Sequence, residues 1–202
     1  MTIENLELRQ ASDETDSSRK GMYLVVDLEA TCSDDGSISE NQMEIVEFGC
    51  VWLNSMLGII DTFQTFVSPS QTPVTEFCTR LTGITQEQVN SAPTFPVAAL
   101  ALQKFVQKYQ TSESVWLSWG AWDARQMARE SLEHGVENPI QLPHQNAKRS
   151  FAKVQNLGKQ LGMAKSLHLT GLGIEGVHHR ALDDAMNIAR LLPWVLGERT
   201  LR

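Results

Sequence analysis

Three features are scarce in this 202-residue chain. Cysteine occurs only at Cys32, Cys50 and Cys78. That odd number, with no CxxC pair, excludes a disulfide framework and a cysteine-built metal site. The expectation is a reduced, cytoplasmic protein with no disulfide partner, in which Cys50 and Cys78 serve as small apolar residues. Long apolar runs are also missing. None approaches the ~20 residues needed to cross a bilayer, so no membrane association is expected. The opening stretch MTIENLELRQASDETDSSRK lacks the apolar core of a secretory signal and is rich in Ser, Asp and Glu. Residues 1–20 therefore read as a flexible polar leader, and residues 21–202 as one domain.

Positive charge is the third shortage. The net charge is -7, so a broad basic footprint for long duplex nucleic acid is absent. The charge is unevenly spread, however. Residues 1–100 carry 4 Lys and Arg against 15 Asp and Glu, whereas residues 101–202 carry 13 against 9. Cations bound at a cluster of acids could reverse the local field, so an anionic partner stays open beside the plainer reading of a solvated acidic surface.

Hydrophobic residues make up 42% of the chain, enough for a sizeable core, and no internal repeat occurs. Residues 22–28 read as a buried strand, 44–54 as a second with a bulge near Gly49, and 59–67 as a half-buried third. Together they suggest an antiparallel meander. Short helical pieces follow over 75–92, with Thr85 capping one of them, and then an amphipathic helix over 94–110 with Pro96 in its first turn. A fourth strand covers 114–120, a helix runs from Asp123 to about residue 134, and a fifth strand lies near 140–147. A helix over 150–162 and a closing helix over 180–197 complete the pattern. Three strands followed by strand–helix alternation imply an α/β fold with a mixed sheet, whose ligands sit at the carboxyl ends of its parallel strands.

The acids of YLVVDLEATC stand out, because an unpaired buried carboxylate costs several kcal/mol. Asp27 and Glu29 project to one side of the strand, roughly 6–7 Å apart along it. A divalent cation between them would make the pair tolerable. Taken alone, the pair fits a strand end open to solvent better. The closing helix shifts that balance. GVHHRALDDAMNIA offers a His five positions before an Asp in two registers, His178 with Asp183 or His179 with Asp184. At about 100° per residue, Asp184 lies about 80° from the centre of the apolar face and Asp183 about 180° away. The geometry selects Asp184 with His179, and leaves Asp183 as a solvated face residue.

Asp123 in SWGAWDARQ is the fourth acid, and taken alone it fits equally a helix-start residue favoured by the dipole. Four carboxylates suit two divalent ions, which could clamp both oxygens of an in-line phosphoryl displacement. A histidine supplies the base at neutral pH. The pattern reads as a metal-dependent phosphodiesterase. Trp116, Trp119 and Trp122 read as core, with Trp122 beside Asp123 the best exception. His134, His144 and His168 lack metal-ligand spacing and read as surface or structural residues. Lys148, Arg149 and Lys153 read as a solvated face.

These motifs resemble the 3′–5′ exonucleases of the DEDDh class, within the proofreading-exonuclease superfamily. VVDLEATC resembles the first motif, WGAWD the second and HHRALDDAMNIARLL the third. EIVEFGCVWLN, DTFQTFVSP and FCTRLTGITQEQVNSAPTF narrow the likeness to the Eri-type branch, which includes RNA-trimming enzymes. The resemblance runs from about residue 22 to 195. It implies an RNase H-like α/β fold, a five-stranded mixed sheet flanked by helices, and makes residues 21–202 an exonuclease domain. It implies two divalent ions, Mg²⁺ or Mn²⁺. Asp27, Glu29 and Asp184 would hold one; Asp27 would also reach the second, with Asp123 acting through water. His179 would be the general base. The partner would be single-stranded RNA or DNA with a free 3′ end, RNA slightly preferred, and the product a nucleoside 5′-monophosphate. Leu81 and Thr82, with Ala30, Thr31 and Met43, would line the terminal-nucleotide pocket, for which a core role is the alternative. The acidic balance and the lack of a recognisable accessory nucleic-acid-binding domain favour short or single-stranded substrates. The rivals are a catalytically silent nucleic-acid-binding or scaffold protein of this fold, which predicts a missing motif acid, and an RNase H-type endonuclease.

Overall fold

A computed structural model describes residues 21–201; the leader expected over 1–20 lies outside them. Five strands form one sheet: β1 (Tyr23–Ala30), β2 (Ile45–Leu53), β3 (Ile59–Phe66), β4 (Val115–Ser118) and β5 (His144–Asn146). Their order is β3-β2-β1-β4-β5. β1, β2 and β3 pair antiparallel, and β4 and β5 add parallel to β1. The helices are α1 (Glu76–Thr82), α2 (Gln86–Asn90), α3 (Phe95–Tyr109), α4 (Trp122–Glu133), α5 (Ala147–Val154), α6 (Met163–Leu169) and α7 (Ala181–Val195). The expected α/β architecture is present.

Strand alternation sorts β1 between two cores. Leu24, Val26 and Leu28 pack with Phe95, Ala98, Leu102 and Phe105 of α3 and Met127 of α4. Val25 faces the other way, among Phe151 of α5, Leu167 of α6 and Ile188, Leu191 and Leu192 of α7. Covered on both sides, β1 reads as the continuous apolar run expected of a central strand. Asp27 and Glu29 follow Val25 on the α7 face. A third core, around Val46, Cys78, Ile84 and Val89, seats α1 and α2. Thr85 begins α2 with a reciprocal capping box to Gln88. Trp116 is buried, Trp119 donates its indole N–H to the Leu161 carbonyl, and Trp122 packs against the α3 side of the core.

Three local expectations change. The irregularities of β2 lie opposite Glu29/Ala30 and at Trp52/Leu53, not at Gly49. The helix expected over 150–162 stops at Val154, because Asn156 turns left-handed at φ 52° and Leu157 N–H bonds back to the Ala152 carbonyl. Gly162 then begins α6, a helix that the surrounding glycines concealed.

Candidate active site

The site is built where α7 meets β1 and β2. Across the sheet, Gly49 pairs with Asp27 and Glu47 with Glu29. Gly49 lets α7 touch the strand backbone to backbone. A Cβ there would stand 2.0 Å from the Ala181 carbonyl carbon and 2.2 Å from both its oxygen and Leu182 N. That close approach carries Asp184, one turn into α7, down beside the strand acids, where it is 5% exposed. Carboxylate oxygens of Asp27, Glu29 and Asp184 converge to within 4.8 Å of one another.

Asp123 stands in the first turn of α4, just past the end of β4, outside that trio, and its charge raises the pKa of Asp27 and Glu29. Burial pushes its carboxyl up to about 6, against bonds from the Ser118 side chain and nearby backbone that favour the ionised form. Burial, with Asp184, Glu47 and Asp123, pushes Glu29 up to about 8, and Arg180 pulls the other way. Asp27 is raised well above the carboxylate range by burial first, then by Asp123, Glu29, Asp184 and Glu47. Burial is the main cause in each case, and at Asp27 and Glu29 the neighbouring acids add to it, so a bound cation would relieve the cluster. The donors are hard oxygens from two or three carboxylates, a set that fits Mg²⁺ or Mn²⁺.

A fifth acid anchors the arrangement. Glu47 is fully buried, and accepts from Arg180 Nε at 3.1 Å and Nη2 at 2.7 Å. It also accepts from Ala181 N–H at 3.0 Å and from the Gln64 amide at 2.7 Å. It thereby ties the start of α7 to β2. Like Asp27, Glu47 is an acid inside an apolar strand, so EIVEFGC carried a usable signal.

At the start of α7 the imidazole that meets Asp184 is that of His178, where the helical register selects His179. His178 Nδ1 lies 2.9 and 3.1 Å from the Asp184 oxygens, whereas His179 reaches the same carboxylate through its backbone N–H at 3.0 Å. The rings stack at 4.0 Å and 18°. His179 adopts φ 65°, a left-handed conformation uncommon outside glycine and concentrated at functional sites. Burial and His178 lower its pKa below the ordinary histidine value, with Asp184 opposing.

Asp183 departs from the expectation of a solvated residue. It is only half-exposed, and its Oδ2 accepts Val177 N–H at 2.8 Å. Gly176 passes so close that a Cβ would lie 2.5 Å from the Asp183 carboxyl carbon. The loop before α7 folds back over this side chain, which helical angles alone could not reveal.

The expected pocket residues are spread around the end of β1. Thr31 is buried, its hydroxyl accepting Glu44 N–H and paired with Thr72 Oγ1 at 2.7 Å. Thr82 is buried, donating to the Cys78 carbonyl and accepting Ile84 N–H. Ala30 is buried, Met43 is half-buried with its carbonyl held by Gln126 and Arg129, and Leu81 is 38% exposed. His134 stacks on Phe95, and His144 bonds Ser118 and packs on Trp116.

A five-stranded mixed sheet with three carboxylates gathered under a histidine-led helix defines a nuclease-type α/β domain. The chain belongs to the RNase_T exonuclease family, whose model matches residues 24–192. It is 34% identical over 178 residues to human "3'-5' exoribonuclease 1", covering 83% of this chain and 50% of that protein. It is 30% identical over 192 residues to human "ERI1 exoribonuclease 2", covering 85% of this chain and 28% of that protein. The chain thus spans half or less of the length of these two relatives. Among solved structures, it is similar to the nuclease domain of 3'hExo, described as a DEDDh family member bound to rAMP. There the TM-score is 0.77 and the identity 28%, covering 92% of this chain and 97% of that one.

Proposed function

We propose that this chain is a metal-dependent 3′–5′ exonuclease, with residues 21–202 as its exonuclease domain. It acts on single-stranded RNA or DNA with a free 3′ end and releases nucleoside 5′-monophosphates. The convergence of Asp27, Glu29 and Asp184 to within 4.8 Å carries this reading. Two divalent ions, Mg²⁺ or Mn²⁺, would supply the positive charge that neutralises these acids and stabilises the phosphoryl group during displacement. Asp27, Glu29 and Asp184 would hold one, and Asp27 would also reach the second, with Asp123 acting through water. His179 is the general base: with its pKa lowered, the imidazole is neutral at pH 7 and can accept a proton from the attacking water. Glu47 and Arg180 keep α7 at the depth the acids need.

RNA is the slightly preferred substrate, supported by the two exoribonuclease relatives and the rAMP-bound neighbour. RNA processing in the cytoplasm is the setting this suits; among the described residues no helix is long and apolar enough to cross a membrane. Leu81, Met43 and Trp122 are the pocket residues with apolar surface free to meet a terminal nucleotide, while Ala30, Thr31 and Thr82 shape the pocket from behind. A 5′-labelled oligonucleotide incubated with Mg²⁺ should give a ladder of shortened products, and a 3′-blocked one should persist. Matched RNA and DNA in competition read the sugar preference. Binding without shortening would favour the silent scaffold, and cleavage of a circle would favour an endonuclease.

A further inference from the structure

We propose that His178, His179 and Asp184 form a second, nitrogen-rich site for a transition ion of the zinc class, and that filling it shuts off the site below. The inhibitory half of this inference rests on the exonuclease reading; the binding half does not. One ligand atom from each of the three residues lies within 4.8 Å of the others. The imidazoles stack, 18° apart with centroids 4.0 Å apart, so one ring swings out of the stack for both nitrogen lone pairs to meet a shared ion. His178 Nδ1 already addresses the Asp184 carboxylate. The His179 N–H on the same carboxylate accompanies the left-handed turn at His179. Both histidines are half-buried on the turn before α7, where the side chains are accessible and can adjust. Tetrahedral zinc with Zn–N near 2.0–2.1 Å needs ligand atoms roughly 3.3 Å apart, a contraction of about 1.5 Å at most.

The chemistry separates this site from the acidic one. Asp27, Glu29 and Asp184 offer only oxygen, whereas His178, His179 and Asp184 offer two imidazoles and one carboxylate. Imidazole suits zinc and its neighbours, while carboxylate suits magnesium and manganese. Asp184 is common to both sets. An ion seated on the histidines draws that carboxylate out of the acidic trio and occupies the ring proposed as the base. His178 lies outside the spacing that pairs His179 with Asp184, yet its ring already stands on that carboxylate, where it offers the second imidazole a nitrogen-preferring ion needs.

The test uses the full chain in three forms: wild type, His178→Gln and Asp27→Asn. Zn²⁺ titration by calorimetry, and Co²⁺ titration followed in the visible, report binding without reference to activity. Wild type and Asp27→Asn should both show, at matching affinity, the Co²⁺ absorption of a nitrogen-containing tetrahedral site. His178→Gln, checked for an unchanged melting curve and accompanied by His178→Asn, should bind at least tenfold more weakly. Equal affinity in His178→Gln and wild type overturns the proposal, as does loss of the site in Asp27→Asn, which would put the ion among the acids. With saturating Mg²⁺, each protein normalised to its own zinc-free rate, wild type should be inhibited at tenfold lower Zn²⁺ than His178→Gln. Binding without inhibition overturns the coupling. An active enzyme whose zinc binding ignores His178 defeats this inference alone, and an inactive protein that binds as described defeats only the exonuclease reading.

Discussion

Replacing Gly49 with alanine tests the contact that sets the depth of α7. The added methyl would meet three backbone atoms, Ala181 C at 2.0 Å and Ala181 O and Leu182 N at 2.2 Å. Ordinary contact begins near 3.4 Å, so the helix or strand must yield by about 1.4 Å at the tightest point. No side-chain rotation can relieve a clash with backbone. The helix start is also held by Glu47 through Arg180 and Ala181 N–H, which resists the shift. Overpacking of this kind costs about 1–3 kcal/mol. For a domain of this size that lowers the melting temperature by roughly 2–12 °C. A displacement of about 1 Å at a reacting centre costs on the order of 100-fold in rate. Gly49→Ala should therefore be both less stable and at least tenfold slower in single-turnover shortening of a labelled RNA. Gly158→Ala is the control, since a Cβ there meets nothing within 4 Å. Adding Ala181→Gly to Gly49→Ala should not restore the rate, because the clash is not with the Ala181 methyl. A Gly49→Ala protein within 2 °C and twofold of wild type would refute the reasoning.

Glu130 is almost fully buried and accepts Ile45 N–H at 2.7 Å, yet burial pushes its carboxyl up to about 7. The folded state retains a proton that the unfolded chain releases near 4.5, so Glu130 favours folding below about 4.5 and loses that advantage, about 3 kcal/mol, as pH rises to about 7. Glu130→Gln should gain stability over wild type at pH 8 relative to pH 5, read from chemical denaturation at both. Asp184→Ala should abolish exonuclease activity, whereas Asp183→Ala, which loses one hydrogen bond to Val177, should cost about 1 kcal/mol of stability and less than tenfold in rate. Calorimetric scans should show Mg²⁺ at 100 times its dissociation constant adding about 2.7 kcal/mol, a gain that Asp27→Asn largely removes.

The parts of the fold written in local patterns were legible. LVV followed by Asp27 and Glu29 announced a central strand with a polar end, and the angular position of Asp184 on its helix predicted its burial. Features depending on a distant segment were not. Gly49 looked like a bulge because a glycine in a strand has two explanations, and only the arrival of α7, some 130 residues later, selects the second. Asp183 looked solvated because its partner, Val177, belongs to a loop with no periodicity. α6 was hidden between glycines that read as loop. Glu47 escaped attention although it stands among buried neighbours, and it proves to be the residue joining β2 to α7.

The central claim is that Asp27, Glu29 and Asp184 serve removal of nucleotides one at a time from a 3′ end. A single-stranded RNA labelled within its 3′-terminal nucleotide, sampled at the earliest resolvable times with Mg²⁺, tests it most directly. The label should first appear as a nucleoside 5′-monophosphate, in wild type but not in Asp27→Asn, and chelation of the metal should stop its release. Label appearing first in oligonucleotides, or released equally by Asp27→Asn, would contradict it.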